Sequence, residues 1–279
     1  MFTRFASIFF GVSLLCIVHA HAQRYEFGGW GGGSTYFGDL NTNTSFKYTK
    51  PAAGLYARYN FDPRIAAKLS VTYGGVKGMD SASNYYFEKQ RNLSFYSGIW
   101  EIEAQGEFNF MSYSSRHPKM RYSPYFLLGF GVFGFDPKTQ YGTTEFYLQQ
   151  YGTEGQGYPE YIGRKPYKLT KPFICIGGGF KWRVTKTFSM FGEAAVRKTY
   201  TDYLDDVSTV YPDKLILANE AGPLAVNLSD RSLELSGVPV GATNKYRGDL
   251  KRDDYFFFGL GCSFTINTYK CPFLYKDDY

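Results

Sequence analysis

Two sets of side chains in this 279-residue sequence could do chemistry. Asp202, Asp205 and Asp206 bring three carboxylates into five residues, oxygen ligands of the kind calcium takes, but without the glycine-centred spacing of an EF-hand loop. Glu101, Glu103 and Glu107 alternate with apolar residues, so a strand would present all three on one face. Nucleophilic catalysis by a Ser-His-Asp or Cys-His set needs a histidine, and a histidine-ligated metal site usually wants several. His19 and His21 fall in an N-terminal leader, which leaves His117 beside Ser114, Ser115 and Lys119 in a short connection. A lone turn histidine reads as a solvated surface residue. The expectation is a non-enzyme with no catalytic residue, no cofactor and no metal, and a structural role for the acids.

The leader has three parts. Arg4 supplies a positive start, residues 8–18 are apolar, and Ala20-His21-Ala22 is a small-residue cleavage site. A signal peptide over 1–22 is expected, with cleavage near Ala22 and a mature chain that leaves the cytoplasm.

The elements that must position the remaining groups are strands. There are 26 Phe, 26 Tyr and 3 Trp, and 31 Gly, well above ordinary usage for both classes. Mean hydropathy is nevertheless negative, and the chain after the leader has no run of about 18 apolar residues to make a membrane helix. Period-2 alternation predicts strands near 24–38, 51–61, 65–77, 95–111, 121–135, 170–183, 187–200 and 254–267, with the phase of the glycine-rich first strand unsettled. Connections alternate between short (tight at 60–64 and 184–187, modest at 112–120) and long (39–50, 78–94, 136–169, 201–253). That sorting is the arrangement of bacterial outer-membrane barrels, short turns periplasmic and long loops extracellular. The expected fold is all-β: an eight-stranded antiparallel transmembrane β-barrel over 23–267, followed by a short periplasmic tail, 268–279. The barrel is expected in the cell outer membrane, with its lipids as neighbours. Net charge is +6 with the bases scattered, so nucleic acid is not implied.

Carrying the alternation through sends Arg58, Lys68, Glu101, Glu103, Glu107, Lys181, Arg183, Glu193 and Arg197 into the lumen. An eight-stranded barrel is just wide enough for side chains to fill it, and confined opposite charges should pair. Two readings stand: a salt-bridged plug, which is favoured, or a path for protons or ions.

The run Arg197-Lys198-Thr199-Tyr200-Thr201-Asp202-Tyr203-Leu204-Asp205-Asp206-Val207-Ser208 resembles the hallmark of the PorG-type outer-membrane barrels of the type IX secretion system. Residues 31–40, ending Gly38-Asp39-Leu40, are similar to that family's first strand and its exit. Glu101 to Phe110 is similar to its central strand, and Tyr269-Lys270-Cys271-Pro272 to its tail. Loop 201–253 is longer than the family needs. The resemblance implies a non-enzymatic component of the secretion machinery that associates with the periplasmic ring of PorK-like lipoprotein and PorN-like protein. A stand-alone barrel with an adhesive or structural role is the alternative.

The motif also has a physical reading. Thr199, Thr201 and Asp202 can fix a turn, Tyr200 and Tyr203 suit the outer aromatic girdle, and Leu204 with Val207 suits a helical turn over the mouth. Among the cysteines, Cys175 should face the lumen and Cys262 the lipid, too far apart to bridge. Cys271 in the tail is then an idle thiol or a disulfide tether to a periplasmic partner.

Overall fold

The computed structural model describes residues 25–113, 120–249 and 251–266. The expected leader, the turn carrying His117, and the tail with Cys271 lie outside these residues. Among the described residues, eight long strands form the wall: β1 (Tyr25–Phe37), β2 (Lys50–Asn60), β3 (Ile65–Met79), β4 (Ser94–Asn109), β5 (Tyr122–Phe135), β8 (Thr170–Arg183), β9 (Phe188–Thr199) and β10 (Asp254–Thr265). Two short strands between β5 and β8, β6 (Lys138–Tyr141) and β7 (Thr144–Tyr147), make a hairpin outside the wall.

Each wall strand pairs antiparallel with its neighbour in the chain, and β1 pairs with β10 from Glu26↔Thr265 to Phe37↔Asp254. The sheet is therefore closed. Closure leaves no edge in the wall and satisfies backbone groups internally, the condition for crossing a bilayer with strands. Strands of 11 to 16 residues, at roughly 3.3 Å rise and a tilt of about 40°, span an apolar band of about 25 Å.

Alternation along β4 is strict. Ile99, Glu101, Glu103, Gln105, Glu107 and Asn109 are buried inside, while Trp100, Ile102 and Phe108 are each more than two-fifths exposed on the outside. Opposite and beside them, Leu69, Val71, Tyr73, Phe130, Leu55 and Leu260 extend a continuous apolar outer surface. Such a belt would drive association in water, and lipid solvates it. Aromatic pairs ring its lower margin: Tyr25 with Tyr59 at 5.0 Å, Tyr122 with Phe180 at 6.2 Å, and Phe188 with Phe264 at 5.2 Å. The molecule is a closed eight-stranded antiparallel β-barrel of the transmembrane kind.

Register settles the phase of β1: Glu26, Ser34 and Tyr36 point inward. Its glycines allow close approach, since a Cβ on Gly28 would stand 2.6 Å from the Tyr56 hydroxyl that enters the lumen beside it.

The long loops are structured. Short helices α1 (Tyr86–Arg91), α2 (Lys214–Ala221), α3 (Pro223–Ser229) and α4 (Leu233–Ser236) lie in them, with the β6–β7 hairpin. Asp213 caps α2 by accepting from the Leu215 and Ile216 amides. The helical turn expected at Leu204–Val207 is absent: the segment is irregular, and Asp206 sits at φ 66°. Its polar side chains are satisfied by other loops instead of by a local helix.

Candidate functional site

Two stacked layers of charge occupy the axis of the barrel. In the lower layer, Arg58 bridges Glu26 at 2.8 Å and Glu107 at 3.1 Å. Lys181 reaches Glu107 at 2.6 Å, and Lys68 reaches Glu193 at 2.5 Å and Glu107 at 3.5 Å. Higher up, Arg197 donates to Glu101 and Glu103, both at 3.0 Å, and Tyr255 adds a hydroxyl to Glu101 at 2.9 Å. Arg183 is buried nearer the periplasmic end, below these clusters.

All nine expected lumen residues point inward: five of them (Arg58, Lys68, Glu107, Lys181 and Glu193) join with Glu26 in one cluster, Arg197 gathers Glu101 and Glu103, and Arg183 lies below. Glu26 was missed because its strand is glycine-rich and its phase could not be read from hydropathy. Its position between outward Tyr25 and Phe27 is the signal that was available. The cavity left between Trp30, Phe191, Glu193, Arg197 and Phe257 measures about 10 Å³, room for about one water. The filled plug is what this interior resembles.

The upper layer is a cap made by the extracellular loops. Arg91, at the end of α1, binds Asp80 through two nitrogens at 2.8 and 2.7 Å and donates to the carbonyls of Asp39 and Arg247. Arg247 in turn binds Glu154 at 3.1 Å and the Ser229 carbonyl. Glu154 is fully buried and also accepts from the Ser208 and Thr209 amides, both at 2.9 Å. These two arginines tie loops 39–50, 78–94, 136–169 and 201–253 together. None of Glu154, Arg91 and Arg247 was marked by spacing or periodicity.

The motif residues fall into this cap. Asp205 accepts from Tyr36 at 2.5 Å and from the Val207 amide; Asp206 accepts from Thr153 at 2.5 Å and Tyr167 at 2.7 Å. Asp202 accepts from Ser208 at 2.5 Å, and Leu204 is fully buried. Thr199 donates to the Asp253 carbonyl, and the Thr201 hydroxyl receives the Tyr203 amide, so both fix the exit from β9. Tyr200 is exposed beneath Arg252, as a girdle residue should be, and Lys198 faces outward to pair with Asp254. Tyr203 does not join the girdle. It turns inward and stacks on Tyr167 at 4.8 Å, its ring covered by loop 136–169, which the sequence pattern could not place.

The three acids first considered together do not converge. Asp205 and Asp206 are consumed by hydroxyls, and Asp202 instead approaches Asp39 and Asp249, with ligand oxygens within 4.8 Å of one another. Asp39 already accepts the Asp249 amide at 3.1 Å. Nothing further here identifies an ion.

Proton count distinguishes this layer. The single proton of the Tyr36 hydroxyl faces two carboxylates, Asp205 at 2.5 Å and Asp253 at 2.9 Å, and each of those is anchored by its other oxygen to a backbone amide. Two contacts around one hydroxyl require a second proton, on one of the acids. Accordingly burial, reinforced by the neighbouring acids, pushes Asp253 and Asp39 well above the usual carboxylate range. Burial also raises Asp202 to about 7 and, against the pull of Arg247, Asp206 to about 6.

No curated protein matches the chain significantly. Among solved structures it is similar to Ail, the attachment invasion locus protein of Yersinia pestis, crystallised with the heparin analogue sucrose octasulfate, at 10% identity and TM-score 0.41. It is similar to Neisserial surface protein A at 9% and 0.41, and to the N-terminal β-barrel domain of Pseudomonas aeruginosa OprF at 12% and 0.35. Each comparison covers 88% of this chain and 100% of the other. Residues 4–216 match the family model described as "Domain of unknown function (DUF6089)". That span is most of the chain, and the protein belongs to the DUF6089 family.

Proposed function

We propose that this chain is a non-enzymatic outer-membrane component of the type IX secretion system, fixing the periplasmic ring of PorK-like lipoprotein and PorN-like protein to the membrane. The solid interior is the observation that supports it. A barrel packed with paired charge below and tied loops above is a rigid peg, and its periplasmic end would be the face that docks the partner. The motif running from Arg197 to Ser208 adds the resemblance to PorG-type barrels. Pull-down of a tagged full chain from detergent-solubilised membranes should recover the ring proteins. Recovery of the chain without them would overturn the anchor. N-terminal sequencing of the mature protein should begin at Gln23, after export through the signal peptide. If Cys271 is the tether, non-reducing gels should show a larger species that vanishes in Cys271→Ser.

A second reading, a stand-alone barrel with an adhesive or structural role, is favoured by apolar side chains held out on the extracellular loops: Ile162 is 98% exposed, Leu215 78% and Tyr86 77%. In that case the pull-down yields no ring proteins, and trimming the loop tips reduces attachment of cells to surfaces.

A further inference from the structure

Lys47, Lys50 and Lys77 crowd one stretch of the outer rim. The ammonium groups of Lys47 and Lys77 both stand over the ring of Tyr48, at 5.6 and 5.5 Å from its centroid. The stem of Lys50 lies 3.3 Å from the place a Cβ on Gly75 would take, two residues from Lys77 on β3. Among the described residues none of the three is paired with a carboxylate. Other rim cations are: Lys198 with Asp254, Lys138 with Asp136, Lys251 with Asp249. Two ammonium groups on one ring, with a third lysine rooted beside their strand and no carboxylate partner among the described residues, favour an anion at this flank.

The surroundings narrow the kind of anion. On one side Phe46 leaves its loop and lies on the outer wall against Phe37, Phe256 and Phe258, at 5.8, 6.0 and 6.2 Å. It remains 55% exposed, an apolar shelf continuous with the lipid-facing belt. On the other side Lys77, Ser94, Tyr96, Gln140 and Arg231 line an open groove of about 390 Å³. Glu145 beside it is engaged by Lys138 and the Tyr96 hydroxyl. An apolar shelf, a cationic trio and a polar groove, in that order, match an acyl chain, a phosphate and a sugar.

We propose that this flank binds a phosphorylated glycolipid of the outer leaflet, with Lys47, Lys50 and Lys77 holding its phosphate. The proposal rests on the long-loop end facing outward from the membrane. A bare phosphate would gain nothing from Phe46, and an acidic protein segment would leave the acyl shelf unused.

The test is native mass spectrometry of the refolded full chain in detergent, titrated with lipid A, with dephosphorylated lipid A, and with inorganic phosphate. Lys47→Gln/Lys50→Gln/Lys77→Gln should weaken lipid A retention about a hundredfold, at roughly fivefold per lysine. Lys165→Gln/Lys168→Gln/Lys245→Gln, with the same loss of charge on other outer loops, should leave it unchanged. Phe46→Ser should weaken lipid A and not inorganic phosphate. Equal losses in the two triple variants, or equal binding of dephosphorylated lipid A, would overturn the site. Inorganic phosphate binding as tightly as lipid A would leave a plain anion site and overturn the lipid assignment. Should the first triple variant fail to refold, Lys77→Gln alone decides, with the same expected and overturning comparisons. Heat-modifiable migration of the wild type separates the two levels: its loss removes the barrel reading, whereas a folded barrel that retains no lipid A removes this proposal alone.

Discussion

Five acids and five bases face one another in the lumen, counting Glu26 and Arg183, whereas among the described residues the cap above it buries Asp39, Asp80, Glu154, Asp205, Asp206, Asp230 and Asp253 around Arg91, Arg247 and the half-buried Lys214. Both layers are buried, so both must neutralise charge. The lumen does so with counter-ions projected from facing strands. The cap does so partly with protons, as the Tyr36–Asp205–Asp253 contacts require. The difference separates two kinds of rigidity: one held by ion pairs between facing strands, the other partly by protons shared among acids.

The largest effect should come from the lumen's centre. Glu107→Gln leaves Arg58, Lys68 and Lys181 short of their shared partner, and removing one member of a buried ion cluster costs about 3–5 kcal/mol. Urea unfolding in micelles should show that loss across the whole barrel. A change below that seen for a surface variant would mean that the lumen is hydrated and the contrast false.

Arg247→Met should act locally. It leaves Glu154 without its cation, at a cost of about 1–3 kcal/mol, confined to the loops. Limited proteolysis should cut loops 136–169 and 201–253 faster while the barrel's heat-modifiable migration stays unchanged. Loss of both together would show that cap and lumen unfold as one unit.

The cap should also loosen as pH rises. Its raised carboxyls hold protons in the folded state at pH values where the unfolded chain has released them, so their contribution is complete below about pH 4 and is lost as pH rises through the folded values. For Asp202 and Asp206, which titrate at about 7 and about 6, protease sensitivity of the outer loops should increase between about pH 5 and about pH 8. Arg91 and Arg247 oppose this by favouring the charged forms of Asp39 and Asp206. Asp202→Asn/Asp206→Asn, which removes both groups that titrate in this window, should flatten the profile. A profile as steep as the wild type's would place the titration elsewhere.

The smallest effect belongs to the motif's second residue. Lys198 is paired with Asp254, but its side chain is 61% exposed, so Lys198→Met should change stability by about 0–1 kcal/mol. A larger loss in the same unfolding assay would show that membrane proximity strengthens rim pairs and would weaken the distinction between buried and exposed charge drawn here.

Sequence by itself determined the wall. A strand turns each successive side chain to the opposite face, so apolar residues in lipid and charges in the lumen leave a local, two-residue period. That period located all eight wall strands to within about two residues at most ends and sent Glu101, Glu103, Glu107 and Arg197 inward. It failed at β1, where glycines have no side chain to report a face, and so missed Glu26. It had no purchase on the cap, whose partners are far apart in the chain: Tyr36 and Asp205 are 169 residues apart, Arg91 and Arg247 156. Only closure of the barrel brings the four long loops over one mouth. There Tyr203 finds Tyr167 in place of the lipid interface, and Asp202 finds Asp39 in place of its neighbours in the motif. Contacts set by closure leave no period in the sequence, and tertiary structure alone decided them.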